Sequence, residues 1–378
     1  MKRIKYICYY PSRDTKTPRE CVESATTKID YIVSVLNRKG IAVDIISPSI
    51  ISTKGFCFSM GGITSFGVNT LRLFPSFGCR GFAPLRGLGR LLTYYCFHRY
   101  LKKHIVDEEA VIVYHTLDYC SFFLNLRKTR NFRLIGEVEE IYQDVYQQKP
   151  KLSADEYGFF DVCDSYIFPN TILDRKINNE HKPSLVIHGL YTLQKKIAEK
   201  FDDGKIHVLY SGIFDSVKGG ALAAIETGLY LSEEYHVHVT GFGDEASCKT
   251  VQAKAEEIMT KSKASITFHG FISRSDLTVL MQQCHIGLCT QDPTKELNLT
   301  SFPSKILNYM ANGLVVLSGR NRAIEESAVG DLITYYDVHS PRAIAHSIMK
   351  IRDFNCELGF ERLRLLDNKF EMELSGII

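Results

Sequence analysis

Two lysines stand beside predicted helix starts, where they could bind an anionic group. Residues 300–318 read as a loop, a helix, a turn and a strand, with Pro303 suited to a first helical turn and Gly313 to the position just past the helix end. Ser304 and Lys305 therefore lie at a helix N-terminus, which presents unpaired N–H groups and a partial positive charge. This combination predicts a diphosphate site. An ordinary helix with a polar first turn is the alternative.

The second lysine belongs to a glycine-containing loop that follows a predicted strand at 206–210. Gly212, Gly219 and Gly220 allow the backbone to approach a ligand closely, and Lys218 adds a point charge suited to phosphate. The loop is not a Walker motif, because the pattern GxxxxGK[ST] is absent. It therefore predicts phosphate contact without assigning a nucleotide triphosphatase.

Glycine and polar residues also follow several other predicted strands. The carboxyl ends of parallel strands open into the crevice where α/β proteins bind ligands, so these residues are candidates for a site. A single histidine after a strand is also a common structural hydrogen-bonding residue. The candidates are Gly241, Phe242, Gly243, His269, Gly270 and Phe271 in the C-terminal half, and His115, Glu139 and Glu140 in the N-terminal half.

Alternating strand and helix patterns predict two doubly wound sheets. A length of 378 residues suggests about two domains. In the first half a strand at 3–10, a helix at 17–39 and a strand at 41–47 form a βαβ unit. Further strands are predicted at 111–114, 132–138, 161–168 and 184–188, and after a polar joint at 202–205 the pattern begins again with 206–210, 235–240, 265–269, 285–289 and 315–317.

The composition fits a globular enzyme of the cytoplasm. A net charge of +3 is too small to argue for nucleic acid as a partner. The eleven cysteines have no CxxC spacing, which predicts reduced, buried thiols and neither disulfides nor a metal site. The first ten residues read as a strand and not as a signal peptide, and no apolar run is long enough to cross a bilayer.

Residues 72–103 mix cations with aromatic residues and contain no Asp or Glu. Such a stretch can lie on an anionic membrane surface, with aromatic rings at the interface and cations near lipid phosphates. A surface helix whose apolar face belongs to the core is the alternative. Binding to vesicles with and without anionic lipid separates the two.

Taken together, the segments resemble the nucleotide-sugar glycosyltransferases of the GT-B fold, particularly the family-four type of bacterial polysaccharide assembly. The resemblance is carried by residues 210–212, 218–219, 240–244, 268–271 and 302–313, and more loosely by 113–115, 137–142 and 187–190. It implies an α/β protein with two doubly wound Rossmann-like domains facing a central cleft. Residues 1–195 would form the acceptor domain, residues 205–354 the donor domain, and the tail 355–378 would pack back on the first.

The resemblance also implies a role for each candidate. The donor diphosphate would be held by Gly212, Lys218, Ser304 and Lys305. The nucleoside would be bordered by Gly241, Phe242, Gly243, His269, Gly270, Phe271 and Asn308. His115 would face the donor sugar. If the reaction inverts the anomeric carbon, Asp118, Glu139 or Glu140 would be the base.

The sequence departs from the family pattern at two places. The family's paired glutamates, eight positions apart, fall here at Thr300 and Asn308, and neither residue can carry a carboxylate's charge. The first-strand loop has residues 11–14, Pro-Ser-Arg-Asp, where the family usually has paired glycines. The donor would then be bound by a variant scheme, or activity would be reduced or lost.

The implied activity is transfer of a sugar from a nucleoside-diphosphate donor, a UDP-sugar, to a glycan or lipid-linked oligosaccharide in surface polysaccharide synthesis. We expect retention, no cofactor and no metal, since no Asp-x-Asp cluster follows a strand and the lysines and helix starts can stabilise the leaving diphosphate. The enzyme would be cytoplasmic or peripheral at the inner membrane face. A sugar-nucleotide epimerase of the same fold and a non-catalytic partner subunit remain alternatives.

Overall fold

The computed structural model describes residues 2–14, 16–53, 55–78, 82–142, 150–214, 219–292 and 302–378, without the side chains of 150 and 151. The chain forms two compact units. The N-terminal unit comprises Met1–Pro169, Leu173–Ile187 and Phe370–Ile378, and the C-terminal unit comprises Asn170–Ile172 and His188–Lys369. Each unit is built around its own sheet.

The N-terminal unit contains an eight-stranded sheet and a small two-stranded one. Its strands are β1 Lys2–Ile7, β2 Ile41–Ser47, β3 Cys57–Ser59, β4 Gly62–Phe66, β5 Asn69–Leu73, β6 Ser76–Gly78, β7 Ala110–Tyr114, β8 Arg133–Glu137, β9 Ser165–Phe168 and β10 Ser184–Val186. The large sheet has the order β10-β9-β8-β7-β1-β2-β5-β4, and β3 pairs with β6. All neighbours in the large sheet are parallel except β4 and β5.

The helices of this unit cover the sheet because its central strands are apolar on both faces. In β2 the run Ile-Ala-Val-Asp-Ile-Ile-Ser is buried at every position except Asp44. The helices are Glu23–Arg38, Ala83–His104, Cys120–Arg127, Pro150–Val162 and Thr171–Ile177, the last of which crosses the boundary between the units.

The C-terminal unit contains a six-stranded, fully parallel sheet of order β13-β12-β11-β14-β15-β16. Its strands are β11 Ile206–Ile213, β12 Tyr235–Phe242, β13 Ser265–Gly270, β14 Ile286–Cys289, β15 Val315–Gly319 and β16 Thr334–Tyr336. Its helices are Gly220–Glu226, Glu245–Met259, Arg274–Gln283, Lys305–Ala311, Arg322–Glu325, Pro341–Lys350 and Glu357–Leu374, with the last turn belonging to the N-terminal unit. The fold class predicted from the sequence is confirmed.

Some elements differ from the sequence prediction. The strand expected at 161–168 is confined to Ser165–Phe168, because the helix Pro150–Val162 continues to Val162 and buries Phe159 and Phe160 in the same core that receives the strand. The first helix begins at Glu23 and not near residue 17. The first of these differences arises where apolar residues continue across a boundary without a strong stop signal.

All ten cysteines that the structure describes are free thiols. Within the described ranges, no helix combines the length and the hydropathy that crossing a bilayer requires.

Candidate active site

The helix Lys305–Ala311 is fixed at both ends by its sequence. Ile306 and Leu307 are buried at its start, and Gly313 adopts φ +79° just past its end, a conformation that glycine adopts most readily. Pro303 stands one residue before the N-cap Ser304, slightly earlier than predicted. The first turn is therefore presented in a defined orientation.

The Lys305 ammonium lies against the carboxyl end of β11. Its Nζ is 4.3 Å from the centre of the Tyr210 ring, over the ring face. A methyl group placed on Gly212 would come within 2.6 Å of Nζ, so the missing side chain of Gly212 makes the room that the ammonium occupies. Among the described residues Lys305 has no carboxylate within ion-pair distance. In the part of the chain that the structure describes, the cation is held by a ring face and has no anionic partner.

Tyr309 fixes this helix to two strands, a role that sequence reasoning missed. Its hydroxyl accepts a hydrogen bond from Ser211 N at 2.8 Å and lies 3.3 Å from Leu288 O, which it can donate to. Gly287 leaves space for the ring, since a Cβ there would lie 2.4 Å from it. Tyr309 therefore sets the distance between Lys305 and the ends of β11 and β14.

The glycines at the carboxyl end of β12 are required by close backbone packing. A Cβ on Gly241 would lie 1.8 Å from Gly212 O, and a Cβ on Gly243 would lie 2.5 Å from Phe214 O. Between these glycines the ring of Phe242 stays 49% exposed. It meets Phe271, which is 76% exposed, edge to face at 6.4 Å. Two exposed rings beside strand ends can stack on a planar base.

The remaining predicted donor residues are distributed as follows. Ser304 and Asn308 are exposed on the helix, and Asn308 Oδ1 accepts a hydrogen bond from Asn312 Nδ2 at 3.2 Å. Gly270 adopts φ +62° and its carbonyl accepts a hydrogen bond from Thr240 at 2.8 Å. Lys218 and Thr300 lie outside the described residues.

His269 is engaged by another histidine. Its Nε2 is 3.0 Å from His238 Nδ1, and burial lowers the pKa of His269. The ring nitrogen that would be free to contact a nucleoside is therefore Nδ1 only. The prediction that His269 borders the base remains a prediction.

In the N-terminal unit, His115 follows β7 as expected and is almost fully buried. Its ring packs against the rings of Tyr142, Phe159 and Phe160 at 4.9 to 5.7 Å. Burial lowers the pKa of His115 to about 3, so the imidazole is neutral at physiological pH. Its Nε2 lies 3.3 Å from Oε1 of the buried Glu156, a neighbour that sequence reasoning missed because it is distant in the sequence, on the helix Pro150–Val162.

The carboxylates after β8 form a polar cluster. Glu139 pairs with the Lys28 ammonium, which lies 3.8 Å from Oε1 of the fully buried Glu137. Tyr6 donates a hydrogen bond to Glu137. Burial raises the pKa of Glu137 to about 7, and the nearby Lys28 opposes that shift. Glu140, the next residue in the sequence, is half-buried.

Comparison with known proteins relates the C-terminal part of the chain to a family model. Residues 205–353 match the family model described as Glycosyl transferases group 1. A search of curated protein sequences returns no match.

Solved structures resemble the whole chain. Sucrose-phosphate synthase from Thermosynechococcus elongatus has a TM-score of 0.72 at 15% identity, covering 100% of this chain and 98% of that one. The α,α-trehalose-phosphate synthase (UDP-forming) from Burkholderia xenovorans in complex with glucose-6-phosphate has a TM-score of 0.65 at 11% identity, covering 99% and 97%. The lipopolysaccharide outer core galactosyltransferase WaaB has a TM-score of 0.60 at 14% identity, covering 100% of both chains.

The two sets of comparisons agree on the class. At these identities the structural likeness establishes the fold, which is GT-B. The C-terminal unit carries the group 1 glycosyltransferase domain, and the chain is therefore a glycosyltransferase of the GT-B fold. The prediction of that class is confirmed.

Proposed function

We propose that this enzyme transfers a sugar from a UDP-sugar to a glycan or lipid-linked oligosaccharide in surface polysaccharide synthesis, with retention and without a metal ion. The observation that carries the proposal is the Lys305 ammonium at the carboxyl end of β11, held over Tyr210 and unpaired among the described residues. Such a charge stabilises the negative charge that grows on a departing diphosphate.

Several features support a nucleotide donor in the C-terminal unit. The family model covers this unit, and the exposed pair Phe242 and Phe271 beside the same strand ends suits a base. UDP is proposed because one structural neighbour is named as UDP-forming. Retention follows from the family resemblance, in which no strong protein base is required and His115 orients the donor.

A thermal-shift screen tests the donor assignment. UDP-, GDP- and ADP-sugars at a hundredfold their dissociation constant would each add about 2.7 kcal/mol to the stability of a protein that binds them. We expect the UDP-sugars alone to raise the melting temperature. If none of the nucleotide sugars raises the melting temperature, the proposal is contradicted and the non-catalytic partner subunit is favoured. Conversion of a donor sugar in the absence of acceptor would instead identify an epimerase.

We further propose that the N-terminal unit docks on an anionic membrane through the helix Ala83–His104. Leu88, Leu91 and Tyr95 are 56%, 68% and 64% exposed and recur at helical spacing on one face. The opposite face of the helix is buried through Gly89, Thr93, Phe97 and Leu101. The helix therefore packs on the core, as the alternative interpretation expected, and still exposes an apolar stripe. An exposed apolar stripe on a helix without acidic residues fits a lipid surface.

The charge on this helix is only partly neutralised within the protein. Arg86 pairs with Glu20 and Arg90 pairs with Asp118. Further along the helix, Arg99, Lys102 and Lys103 have no acidic partner in the described part of the chain. These three cations are available to lipid phosphates.

Vesicle flotation tests the membrane proposal. We expect the protein to bind vesicles that contain phosphatidylglycerol and not vesicles of phosphatidylcholine alone, and Leu91→Ser to weaken that binding. The matched control is Leu365→Ser, because Leu365 is 65% exposed on a helix of the C-terminal unit. Equal binding to both kinds of vesicle, or equal loss in both variants, contradicts the proposal.

A further inference from the structure

Three histidines meet on one face of the C-terminal sheet. His207 on β11 lies opposite His236 on β12, and His238 follows two residues later on the same face. His207 and His238 are buried, whereas His236 keeps part of its surface exposed. One ring nitrogen from each of the three lies within 4.8 Å of the other two. The closest pair is His207 Nδ1 and His238 Nε2, at 2.8 Å.

Each of these rings also uses its other nitrogen. The outer partners are Asp203 Oδ1 for His207 Nε2 at 2.9 Å, His269 Nε2 for His238 Nδ1 at 3.0 Å and Thr267 Oγ1 for His236 Nε2 at 2.8 Å. Histidines that bind a metal ion are usually oriented in this way, by a carboxylate or another hydrogen-bonding group on the outer nitrogen. His207 Nδ1 and His238 Nε2 face each other, and the His236 ring is stacked on the His238 ring with the two ring centres 4.1 Å apart.

A buried histidine cluster is unusual on the central strands of a parallel sheet. Strands in a parallel sheet covered on both faces are generally Val, Ile and Leu, as the opposite face of β11 and β12 shows with Val208, Val237 and Val239. Placing imidazoles there loses hydrophobic stabilisation and requires that each nitrogen find a partner. A ligand shared by the inner nitrogens accounts for that cost.

We propose that His207, His236 and His238 form a binding site for a zinc ion. Neutral imidazoles are ligands that Zn²⁺ prefers, and three protein ligands leave a fourth position for water. The partly exposed His236 provides access from solvent. The site is independent of the sugar transfer proposed above, which requires no metal.

The protons of the cluster allow the ion to bind without a change in net protein charge. The ionised Asp203 accepts from His207 Nε2–H, so His207 Nδ1 carries a lone pair and accepts from His238 Nε2–H. On binding, the proton of His238 moves from Nε2 to Nδ1, where it donates to His269 Nε2. Before binding, the proton of His269 is on Nε2 and bonds His238 Nδ1, and on binding it moves to His269 Nδ1, so the hydrogen bond between the two rings always holds one proton. His207 Nδ1 and His238 Nε2 then offer lone pairs to the ion, and His236 Nδ1 offers a third because its Nε2–H donates to Thr267 Oγ1.

The distances require a small opening of the His207 and His238 pair and a rotation of the partly exposed His236 ring away from its stacked position. Two nitrogens bound to one tetrahedral zinc at about 2.0 to 2.1 Å each are separated by about 3.3 Å. His207 Nδ1 and His238 Nε2 are 2.8 Å apart, so the pair must open by about half an ångström. Rotation of the two rings about their χ angles can supply that change. The ion would then tie β11 to β12 at the start of both strands.

The test uses tag-free full-length protein, stripped with EDTA, reloaded with zinc chloride and dialysed. We expect elemental analysis to find one zinc per chain and cobalt chloride to give the visible absorption of a tetrahedral Co²⁺ site. We expect His236→Gln to lose both signals. The matched control, His346→Gln, changes an exposed histidine of the same unit and should keep both.

A second variant avoids disturbing the buried rings. Asp203 is 48% exposed, so Asp203→Asn leaves the fold intact while weakening the partner of His207. We expect its zinc affinity to fall about 10- to 100-fold in a calorimetric titration. Wild-type protein that retains no stoichiometric zinc overturns the proposal. Unchanged zinc content and cobalt absorption in His236→Gln overturns it as well.

Discussion

At the scale of single residues, the candidate active site depends on glycines, which have no side chain, as much as on the lysine. Gly212 leaves the space in which the Lys305 ammonium lies, and Gly241 allows two backbone segments to touch. The lysine and the glycines could be selected from the sequence as site residues. Their mutual contact could not, because it depends on how a helix packs over a strand end.

Replacing Gly212 tests the contact directly. In Gly212→Ala the new methyl group would meet Lys305 Nζ at 2.6 Å, and the flexible lysine would move aside. We expect weaker UDP binding with little change in the free energy of unfolding. The control is Gly359→Ala, whose methyl group would only contact Met310 at 3.4 Å. Equal UDP affinity in both variants and the wild type would show that the position of the ammonium is unimportant.

The buried Glu137 predicts a pH dependence of stability. Its pKa is raised by burial from 4.5 to about 7, so the folded protein holds this proton more tightly than the unfolded chain does. The group's contribution to stability is therefore largest below about pH 4.5 and is lost as pH rises through 7. In Glu137→Gln this loss disappears, because the amide does not titrate.

Urea unfolding followed by circular dichroism at pH 5, 6, 7 and 8 measures this effect. We expect the free energy of unfolding of the wild type to fall more steeply over that range than that of Glu137→Gln. Glu361→Gln, which changes an exposed carboxylate, should follow the wild type. Parallel curves for Glu137→Gln and the wild type would show that Glu137 is ionised throughout.

At the scale of elements, most strands and helices could be predicted because their apolar periodicity and their glycine and proline boundaries agree. β2 and the end of the helix Lys305–Ala311 follow this pattern. The helix Pro150–Val162 was missed because its apolar residues continue into β9. The anchoring hydroxyl of Tyr309 was missed because its partners are far apart in the sequence.

Removing that hydroxyl should loosen the helix from the sheet. Tyr309→Phe leaves Ser211 N without its acceptor, at a cost of about 1 to 2 kcal/mol in the free energy of unfolding. We expect weaker UDP binding as well, since Lys305 is placed by the same helix. The control is Tyr335→Phe, which removes a half-buried hydroxyl that donates to Gly330 O at 2.9 Å. It should reduce stability without changing the affinity for UDP. Full UDP affinity in Tyr309→Phe would contradict this role.

At the scale of the whole molecule, the sequence predicts two Rossmann-like halves because the strand and helix pattern begins a second time after residue 205. The structure gives each unit its own parallel sheet and core. The histidine cluster is a feature of the sheet as a whole. His207 is far in the sequence from His236 and His238, and the three meet only through strand register.

The central claim is that Lys305 binds the donor diphosphate, and calorimetric titration of UDP tests it most directly. We expect the wild type and the control Lys261→Ala, an exposed lysine paired with Glu257, to bind UDP with the same affinity. Lys305→Ala should bind about 10- to 100-fold more weakly, the effect of losing one charge-assisted hydrogen bond. Equal affinity for UDP in Lys305→Ala and the wild type would contradict the account.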